Sequence, residues 1–202
     1  MSIEDGSARP ELFLMRGFLD AETCAAIRRE ARAAEGVPAV VYVEGSSNPV
    51  DETIRKTTRL LLSEETISFL ERRLLEQLTS VGEHFKVELT SCELPQFLFY
   101  KEGDFFVRHQ DGNTENLEFD HLRVRKVSVV IFLNDESNEP REETFGGGSL
   151  VFHPRGRNGD ARGAGYPLAG ETGLLVAFRS ETIHEVRPVT RGERYTIVTW
   201  YR

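Results

Sequence analysis

The stretch DFFVRHQDG, residues 104–112, holds a histidine and a carboxylate two positions apart in otherwise apolar surroundings. In a β-strand, residues i and i+2 point to the same face, so His109 and Asp111 would project together, on a face shared with Phe105 and Val107. Buried charges are usually paired or bound to a metal, because burying an unpaired carboxylate is costly. The motif alone is weak evidence, since a histidine hydrogen-bonded to a nearby aspartate in a loop gives the same pattern.

The end of the chain adds a second histidine and a candidate anion receptor. His184 begins one β-rich run, and the alternation of Arg194, Thr196, Val198 and Trp200 predicts an inward face on the next. A buried guanidinium needs an anion, and no acidic residue shares this strand face. Either a carboxylate from elsewhere in the fold or a ligand must therefore supply the negative charge.

Two histidines and one aspartate on one side of a metal form the facial triad of non-haem iron(II), which leaves coordination positions open. A closed structural zinc site would require four protein ligands, usually including thiolates. The chain has two cysteines, Cys24 and Cys92, and neither is near the three candidate ligands in sequence. These residues therefore favour an open iron site over structural zinc.

The first 90 residues have mainly helical patterns. Asp20 is a candidate N-cap of a helix that ends before Gly36, and a second amphipathic helix is predicted to run from Ser63 through HF at 84–85. Residues 37–45 predict a strand and residues 46–56 a mobile loop. The apolar stripes of both helices are typical of surfaces that pack against a sheet.

From Leu94 the hydrophobic period changes to two, which predicts a sandwich or barrel of short strands. The seven β-rich runs are LPQFLFY, DFFVRHQ, RKVSVVIFLND, GGSLVFHP, TGLLVAFRS, HEVRPV and RYTIVTWYR. Two charged insertions, residues 112–125 and 134–146, are longer than hairpins need and are candidate lids. The FGGGS stretch predicts a tight turn with close packing at the edge of the site.

Length and charge limit the functional classes. A chain of 202 residues is long enough for one domain with a sizeable core. The net charge of −8 disfavours nucleic acid as a partner, and no apolar run is long enough for a membrane span. The N-terminus lacks the layout of a signal peptide, so we expect a cytoplasmic protein with reduced cysteines.

The ordered set HQD, GGGSL and HEVRPVTRGERYTIVTW resembles the 2-oxoglutarate- and iron(II)-dependent dioxygenases, in particular the prolyl 4-hydroxylase-like branch. The resemblance implies an α+β, mainly β fold: a double-stranded β-helix, a jelly-roll or cupin-like barrel, buttressed by N-terminal helices. It also implies a single domain, 1–202, with a helical support region at 1–90 and a catalytic core at 91–202.

The resemblance implies specific roles for residues of this chain. His109, Asp111 and His184 would be the iron ligands, and Arg194 would bind the distal carboxylate of 2-oxoglutarate with help from Thr196. Tyr100 and Leu150 would line the cosubstrate pocket. The chain departs from some prolyl hydroxylases by having Phe132 and Phe106 where hydroxyl-bearing aromatic residues occur, which leaves more of the anion binding to Arg194 and Thr196. His153, at a strand end, is a further candidate for contact with substrate.

The implied activity is hydroxylation of a prolyl or other residue of a protein or peptide, with decarboxylation of 2-oxoglutarate to succinate and CO2. The implied cofactors are Fe(II), 2-oxoglutarate and O2, with ascorbate as a reductant. Hydroxylation of a free amino acid or other small molecule is an open alternative. A non-catalytic barrel that binds a metal or an anion is another, although the complete ligand set and the arginine disfavour it. The sequence makes no prediction of oligomeric state.

Overall fold

The structure of the protein is a computed structural model that describes residues 10–40, 50–112, 120–154 and 165–202. Four helices lie in these ranges: α1 (Ala21–Ala33), α2 (Glu64–Leu75), α3 (Leu78–Phe85) and α4 (Asp120–Arg123). The fourteen strands in these ranges are β1 (Phe13–Met15), β2 (Gly36–Pro38), β3 (Arg55–Lys56), β4 (Thr58–Leu60), β5 (Gln96–Tyr100), β6 (Phe105–His109), β7 (Val127–Phe132), β8 (Gly146–Gly147), β9 (Leu150–His153), β10 (Tyr166–Leu168), β11 (Leu175–Arg179), β12 (Ile183–Val186), β13 (Val189–Arg191) and β14 (Arg194–Tyr201).

The strands form two main antiparallel sheets. The larger sheet has the order β1-β11-β7-β14-β5-β4-β2, and the smaller has the order β10-β9-β12-β6-β3. A short ribbon of β13 and β8 completes the described strands. Several strands that are consecutive in the chain, such as β5 and β6 or β11 and β12, lie in different sheets. This is the double-stranded β-helix that the sequence predicts, and the mainly β fold class is confirmed.

The central strands of the larger sheet are buried on both faces. On one face Val129, Ile131 and Ile197 pack against the helices, and on the other Val130 and Phe132 pack into the space between the two sheets. Every residue of β7 is buried. Successive side chains of each strand point to opposite faces, so they contribute to two apolar cores. One core joins the helices to the sheet, and the other fills the barrel.

The predicted helix starts are confirmed. The Asp20 carboxylate accepts a hydrogen bond from the Thr23 amide at the start of α1, and Ser63 caps α2 in the same way through Thr66. The prediction of one continuous helix after Ser63 is wrong, because that segment is divided into α2 and α3. The Leu74 carbonyl accepts from the Gln77 amide and the Tyr201 hydroxyl at the junction.

Other local predictions differ from the structure in detail. Part of the predicted loop 46–56 is wrong, because Arg55–Lys56 pairs with β6 as strand β3. Of the predicted strand 37–45, residues 37 and 38 belong to β2, and residues 41–45 lie outside the described ranges. The sequence patterns do not predict β10, and they merge β12 with the start of β13. No helix within the described ranges is both long and apolar enough to cross a membrane.

Leu74 gives a direct test of the core between helix and sheet. Its side chain is fully buried, whereas its neighbour Leu75 is 41% exposed. Leu74→Ala should lower the free energy of unfolding by about 2 to 5 kcal/mol, because it removes buried methyl groups and leaves a cavity. Leu75→Ala, measured by the same denaturant unfolding, should change it by less than about 0.5 kcal/mol. Equal losses in the two variants would contradict the assigned packing.

Candidate active site

A β-bulge sets the direction of the His109 side chain. Strand β6 pairs with β12 so that His109 lies opposite His184 and Phe106 lies opposite Val186, which sets three steps along β6 against two along β12. The Phe106 ring therefore stacks on the His109 imidazole, with 3.5 Å between ring centroids. The expectation that Val107 shares this face is wrong, since its side chain is 39% exposed.

Backbone hydrogen bonds hold Asp111 just beyond the end of β6. The amides of Asp111 and Gly112 both donate to the Ser180 carbonyl, at 2.9 and 3.2 Å. A Cβ atom on Gly112 would lie 2.3 Å from the Leu122 carbonyl oxygen, so this position has no room for a side chain. The glycine therefore permits the close turn that brings the carboxylate back toward the strand.

Three side chains converge at this end of the barrel. The Asp111 carboxylate lies 3.4 Å from His109 Nε2 through one oxygen and 3.6 Å from His184 Nε2 through the other. The ligand atoms of all three residues lie within 4.8 Å of one another. Residues that are up to 75 positions apart in the chain thus form one potential metal site.

The imidazoles have the tautomer that a metal ligand needs. His109 Nδ1 lies 2.8 Å from the Val107 carbonyl, and His184 Nδ1 lies 2.9 Å from the Thr182 carbonyl. A carbonyl oxygen only accepts, so each Nδ1 carries the proton and each Nε2 presents its lone pair toward Asp111. The two rings are thereby oriented for coordination through Nε2.

The charge states also suit a divalent cation. Burial, reinforced by the nearby His109 imidazole, lowers the pKa of His184 to about 4. Burial alone would raise the pKa of Asp111, but His184, His109 and a hydrogen bond from Ser128 outweigh it and hold that pKa below its usual value. The site therefore offers a carboxylate and a neutral His184 imidazole at neutral pH.

Arg194 lies in the same barrel with no carboxylate bound to it among the described residues. Its side chain is 1% exposed, Nη1 donates to the Thr196 hydroxyl at 3.2 Å, and Nε is buried without a partner. The guanidinium carbon lies 4.9 Å from the Tyr100 ring centroid and 5.2 Å from that of Phe132. Burial lowers the pKa of Arg194. Such a group would gain strongly from a buried anion.

The other predicted cosubstrate residues lie near this arginine or in the core around it. Tyr100 is directly opposite Arg194 in the pairing of β5 with β14, and Leu150 is buried in the apolar core between the sheets. Gly148 has a positive φ, and a Cβ there would lie 3.0 Å from the Arg194 side chain. The predicted close packing of the glycine run is therefore confirmed.

Comparison with known proteins agrees with this geometry. Residues 95–202, slightly more than half of the chain, match the 2OG-Fe(II) oxygenase superfamily. The chain belongs to this superfamily. The match covers His109, Asp111, His184 and Arg194, and the helices α1, α2 and α3 lie before it.

Individual relatives of this superfamily member include hydroxylases. A PKHD-type hydroxylase of Paracoccus denitrificans is 32% identical over 107 residues, which are 52% of this chain and 41% of that protein. The chain thus spans less than half the length of that curated relative.

Solved structures extend the likeness to nearly the whole oxygenase chain. A Pseudomonas putida prolyl-4-hydroxylase is 25% identical, with a TM-score of 0.68 over 96% of this chain and 92% of that one. A prolyl hydroxylase from Trichoplax adhaerens, solved with a peptide fragment of hypoxia inducible factor, has a TM-score of 0.69, covering 95% of this chain and 83% of that one, at 18% identity. The second likeness concerns the fold alone.

A cavity of about 450 Å³ opens beside the three converging residues of the oxygenase. His109 and Asp111 form part of its wall, together with Trp200 and Gln96 on the larger sheet. The indole Nε1 of Trp200 is buried and has no hydrogen-bond partner among the described residues. Sequence alternation places Trp200 on the inward face, but no local signal assigns it to a binding cavity.

Arginines complete the cavity wall, and sequence reasoning missed them. Arg55 and Arg59 come from the short strands β3 and β4, and Arg125 precedes β7. The Glu93 carboxylate accepts from Arg125 Nε and Nη2 at 2.8 and 2.7 Å, and the Arg125 guanidinium lies 3.6 Å from the Trp200 ring centroid. Glu93 and Arg125 are 32 residues apart in the chain, so no short-range sequence pattern predicts their contact.

His153 does not lie near the cavity. It pairs with Ile183, whereas His184 pairs with Phe152, so His153 projects from the opposite face of the smaller sheet, with Nε2 3.4 Å from Glu185. The expectation that it contacts substrate at this site is therefore wrong.

The two candidate lids have different outcomes. Residues 113–119 of the first insertion lie outside the described ranges, and residues 120–123 form α4. Hydrogen bonds and ion pairs hold the second insertion near both of its ends. Asn134 donates to the carbonyls of Glu143 and Glu193, and the Glu143 carboxylate pairs with Arg28 and Arg32 of α1. These contacts anchor residues 134–146 to the helical layer.

Glu93→Gln should lower the free energy of unfolding by about 1 to 3 kcal/mol near neutral pH, because Arg125 and Arg202 lose a mostly buried carboxylate. Burial opposes ionisation of Glu93, but the two arginines outweigh it and lower its pKa in the folded protein. Its contribution is thus complete above the unfolded pKa of about 4.3 and is lost as the pH falls through the lower folded value.

Denaturant unfolding across pH 7 to 3 measures the difference between wild type and Glu93→Gln. The difference in free energy of unfolding between the two proteins should stay constant near neutral pH and become smaller below about pH 4.3. Glu139→Gln is the matched control, since Glu139 pairs with Arg141 on the surface, and it should change stability by less than about 1 kcal/mol. A pH-independent difference for Glu93→Gln would contradict the assigned ion pairs.

Proposed function

We propose that the protein is an Fe(II)- and 2-oxoglutarate-dependent dioxygenase that hydroxylates a prolyl or other residue of a protein or peptide. The observation that carries this proposal is the presence, in one barrel, of a two-histidine, one-aspartate cluster and a buried arginine without an anionic partner among the described residues. Membership of the 2OG-Fe(II) oxygenase superfamily supports the same activity.

The donor set fits Fe(II). His109, Asp111 and His184 offer two imidazole Nε2 atoms and a carboxylate, which is the facial arrangement that suits non-haem Fe(II). When bound, Fe(II) supplies oxidising chemistry with O2, in which 2-oxoglutarate is decarboxylated to succinate and CO2 while a substrate C–H bond is hydroxylated. The protein's own residues supply orientation and an apolar, water-poor setting for this chemistry.

Arg194 fits the distal carboxylate of 2-oxoglutarate. Its buried, unpartnered Nε is a donor that such a carboxylate would accept from, and the Thr196 hydroxyl on the same face is a further donor. Tyr100 and Leu150 are proposed to line this cosubstrate pocket. Phe132 has no hydroxyl to contribute, so the binding energy for the distal carboxylate rests mainly on Arg194. Ascorbate is proposed as a reductant that keeps the iron ferrous.

The cavity beside the cluster supports a peptide substrate. Its volume of about 450 Å³ lies in the range of ordinary ligand sites, and Trp200 contributes an aromatic surface to its wall. The prolyl-hydroxylase relatives include one whose structure holds a peptide fragment, which agrees with this choice. We also propose a cytoplasmic location, and a single domain in which α1, α2 and α3 share one core with the larger sheet.

Anaerobic reconstitution tests the activity. Purified protein with Fe(II) and 2-oxoglutarate should develop the weak visible absorption of the chelated metal, and admission of O2 should yield succinate. If neither signal appears in the wild type, the proposed activity is wrong. A metal or anion that binds without succinate formation would instead favour a non-catalytic barrel.

Asp111→Ala should lose Fe(II) affinity by more than about 100-fold, because even partners of metal ligands contribute about 10- to 100-fold. Succinate formation should disappear with the metal. Isothermal titration with Fe(II) under nitrogen measures the affinity. Glu185→Gln is the matched control, since Glu185 is next to His184 in sequence but faces away from the cluster, and it should bind metal as the wild type does. Normal affinity in Asp111→Ala would exclude Asp111 as a ligand.

Arg194→Ala should raise the apparent KM for 2-oxoglutarate by about 30-fold or more, since a buried charged contact contributes about 2 to 5 kcal/mol. Fe(II) binding should be retained, because Arg194 is not among the converging metal-ligand candidates. Arg108→Ala is the control, as Arg108 pairs with Glu185 on the outside of the barrel. An unchanged requirement for 2-oxoglutarate would mean that another cation binds the distal carboxylate.

A further inference from the structure

The wall of the cavity beside the His109, Asp111, His184 cluster is strongly cationic. Arg55, Arg59 and Arg125 all line it, and among the described residues the only acidic side chain in the lining is Asp111. The whole chain has a net charge of −8, so the positive charge of this wall is opposite in sign to that of the protein as a whole. Asp111 is committed to the metal under the proposed function, which leaves the arginine charges to be balanced otherwise.

Arg125 already has its counter-ion. Both Glu93 carboxylate oxygens accept from its guanidinium, and the same guanidinium stacks on Trp200. Arg125 therefore has a carboxylate partner, which it shares with Arg202.

Arg55 and Arg59 have no such partner within the described ranges. Arg55 Nη1 donates to the Val40 carbonyl at 3.1 Å, its guanidinium lies 4.8 Å from the Phe106 ring centroid, and its Nε is buried without a hydrogen bond. Arg59 lies on β4 between β2 and β5 with an exposed side chain and no ion pair to a described residue. The adjacent Lys56, by contrast, pairs with Asp104 at 3.7 Å.

Stacked rings fix the position of Arg55 relative to the metal cluster. The Phe106 ring contacts both groups: the Arg55 guanidinium carbon lies 4.8 Å from its centroid, and the His109 imidazole stacks on it at 3.5 Å. An anion bound by Arg55 would therefore lie near the hydroxylated carbon, separated from it by only a few residues of an extended chain that advances about 3.3 Å per residue.

We propose that the substrate carries a carboxylate within about three residues of the hydroxylated carbon, and that Arg55 and Arg59 recognise it. This inference rests on the proposed oxygenase function and adds the chemical class of its substrate. A carboxylate matches the forked donors of a guanidinium, and one that is partly removed from water binds more strongly than an exposed pair. The carboxylate is that of an aspartate or glutamate in a peptide, or the α-carboxylate of a free amino acid.

A degenerate peptide library with a central proline tests the inference directly. The protein, supplied with Fe(II), 2-oxoglutarate and O2, should add one oxygen atom preferentially to members with Asp or Glu near the proline. The best acidic peptide should exceed its isosteric amide, with Glu replaced by Gln or Asp by Asn, by at least about 10-fold in kcat/KM. High salt should reduce this preference. Enrichment of Lys or Arg, or equal rates for acid and amide, would overturn the proposal.

Charge variants link the preference to the two arginines. Arg55→Gln and Arg59→Gln should each reduce the ratio of acid to amide rates, and the double variant should abolish it. Arg59→Glu should shift preference toward a lysine-containing peptide. Arg141→Gln, which removes a surface arginine paired with Glu139, should keep the wild-type ratio. A wild-type ratio in the double variant would show that Arg55 and Arg59 do not read the carboxylate.

Two further experiments distinguish a peptide carboxylate from that of a free amino acid, and distinguish failure of the recognition proposal from failure of the oxygenase proposal. Hydroxylation of a free amino acid but of no peptide, with the same dependence on Arg55 and Arg59, would assign the carboxylate to a small molecule. Anaerobic binding of fluorescent acidic and amide peptides, followed by anisotropy, reports recognition without turnover. Succinate formation with no charge preference in either assay would reject this inference and retain the oxygenase. Acid-selective binding without any succinate would reject the oxygenase and retain the recognition.

Discussion

The burial of the central strands of the larger sheet on both faces is the constraint on which the rest of the structure depends. Tyr195, Ile197 and Tyr201 of β14 pack toward the helices, while Arg194 and Thr196 of the same strand point into the barrel. Because side chains alternate across a strand, the apolar contacts with the helices also set the direction of the polar groups. A shift of one residue in β14 would turn Arg194 out of the barrel.

The polar groups of the barrel are stabilised in different ways. The Asp111 carboxylate lies beside the Nε2 atoms of two imidazoles, whereas Arg194 has one neutral hydrogen bond and aromatic faces around it. The first arrangement is prepared for a cation, and the second requires an anion for full stabilisation. This asymmetry supports the proposed pairing of Fe(II) with a dicarboxylate cosubstrate at the two sites.

The cavity beside His109, Asp111 and His184 links the stability of the fold to the proposed recognition of substrate. Glu93 forms ion pairs with both Arg125 and Arg202, and Arg125 in turn stacks on Trp200 in the cavity wall. Phe106 similarly contacts both the Arg55 guanidinium and the His109 ring. Aromatic rings thus position two arginines at the site, but only one of them has a carboxylate partner among the described residues. The difference in pairing is the physical basis for proposing a negatively charged substrate group.

The sequence by itself determined the fold class, the starts of α1 and α2, most barrel strands and the identities of the polar residues that converge. These features have local signals: N-cap residues, a period of two, and short ordered motifs around His109, His184 and Arg194. Only the tertiary structure decided that Phe106 rather than Val107 accompanies His109, that the second helix divides near Leu74, and that His153 faces away. It also decided the contacts of Glu93 with Arg125 and of Arg55 with the cavity. Bulges and long-range pairings depend on which strands become neighbours, and a local pattern in one segment carries no information about its distant partner.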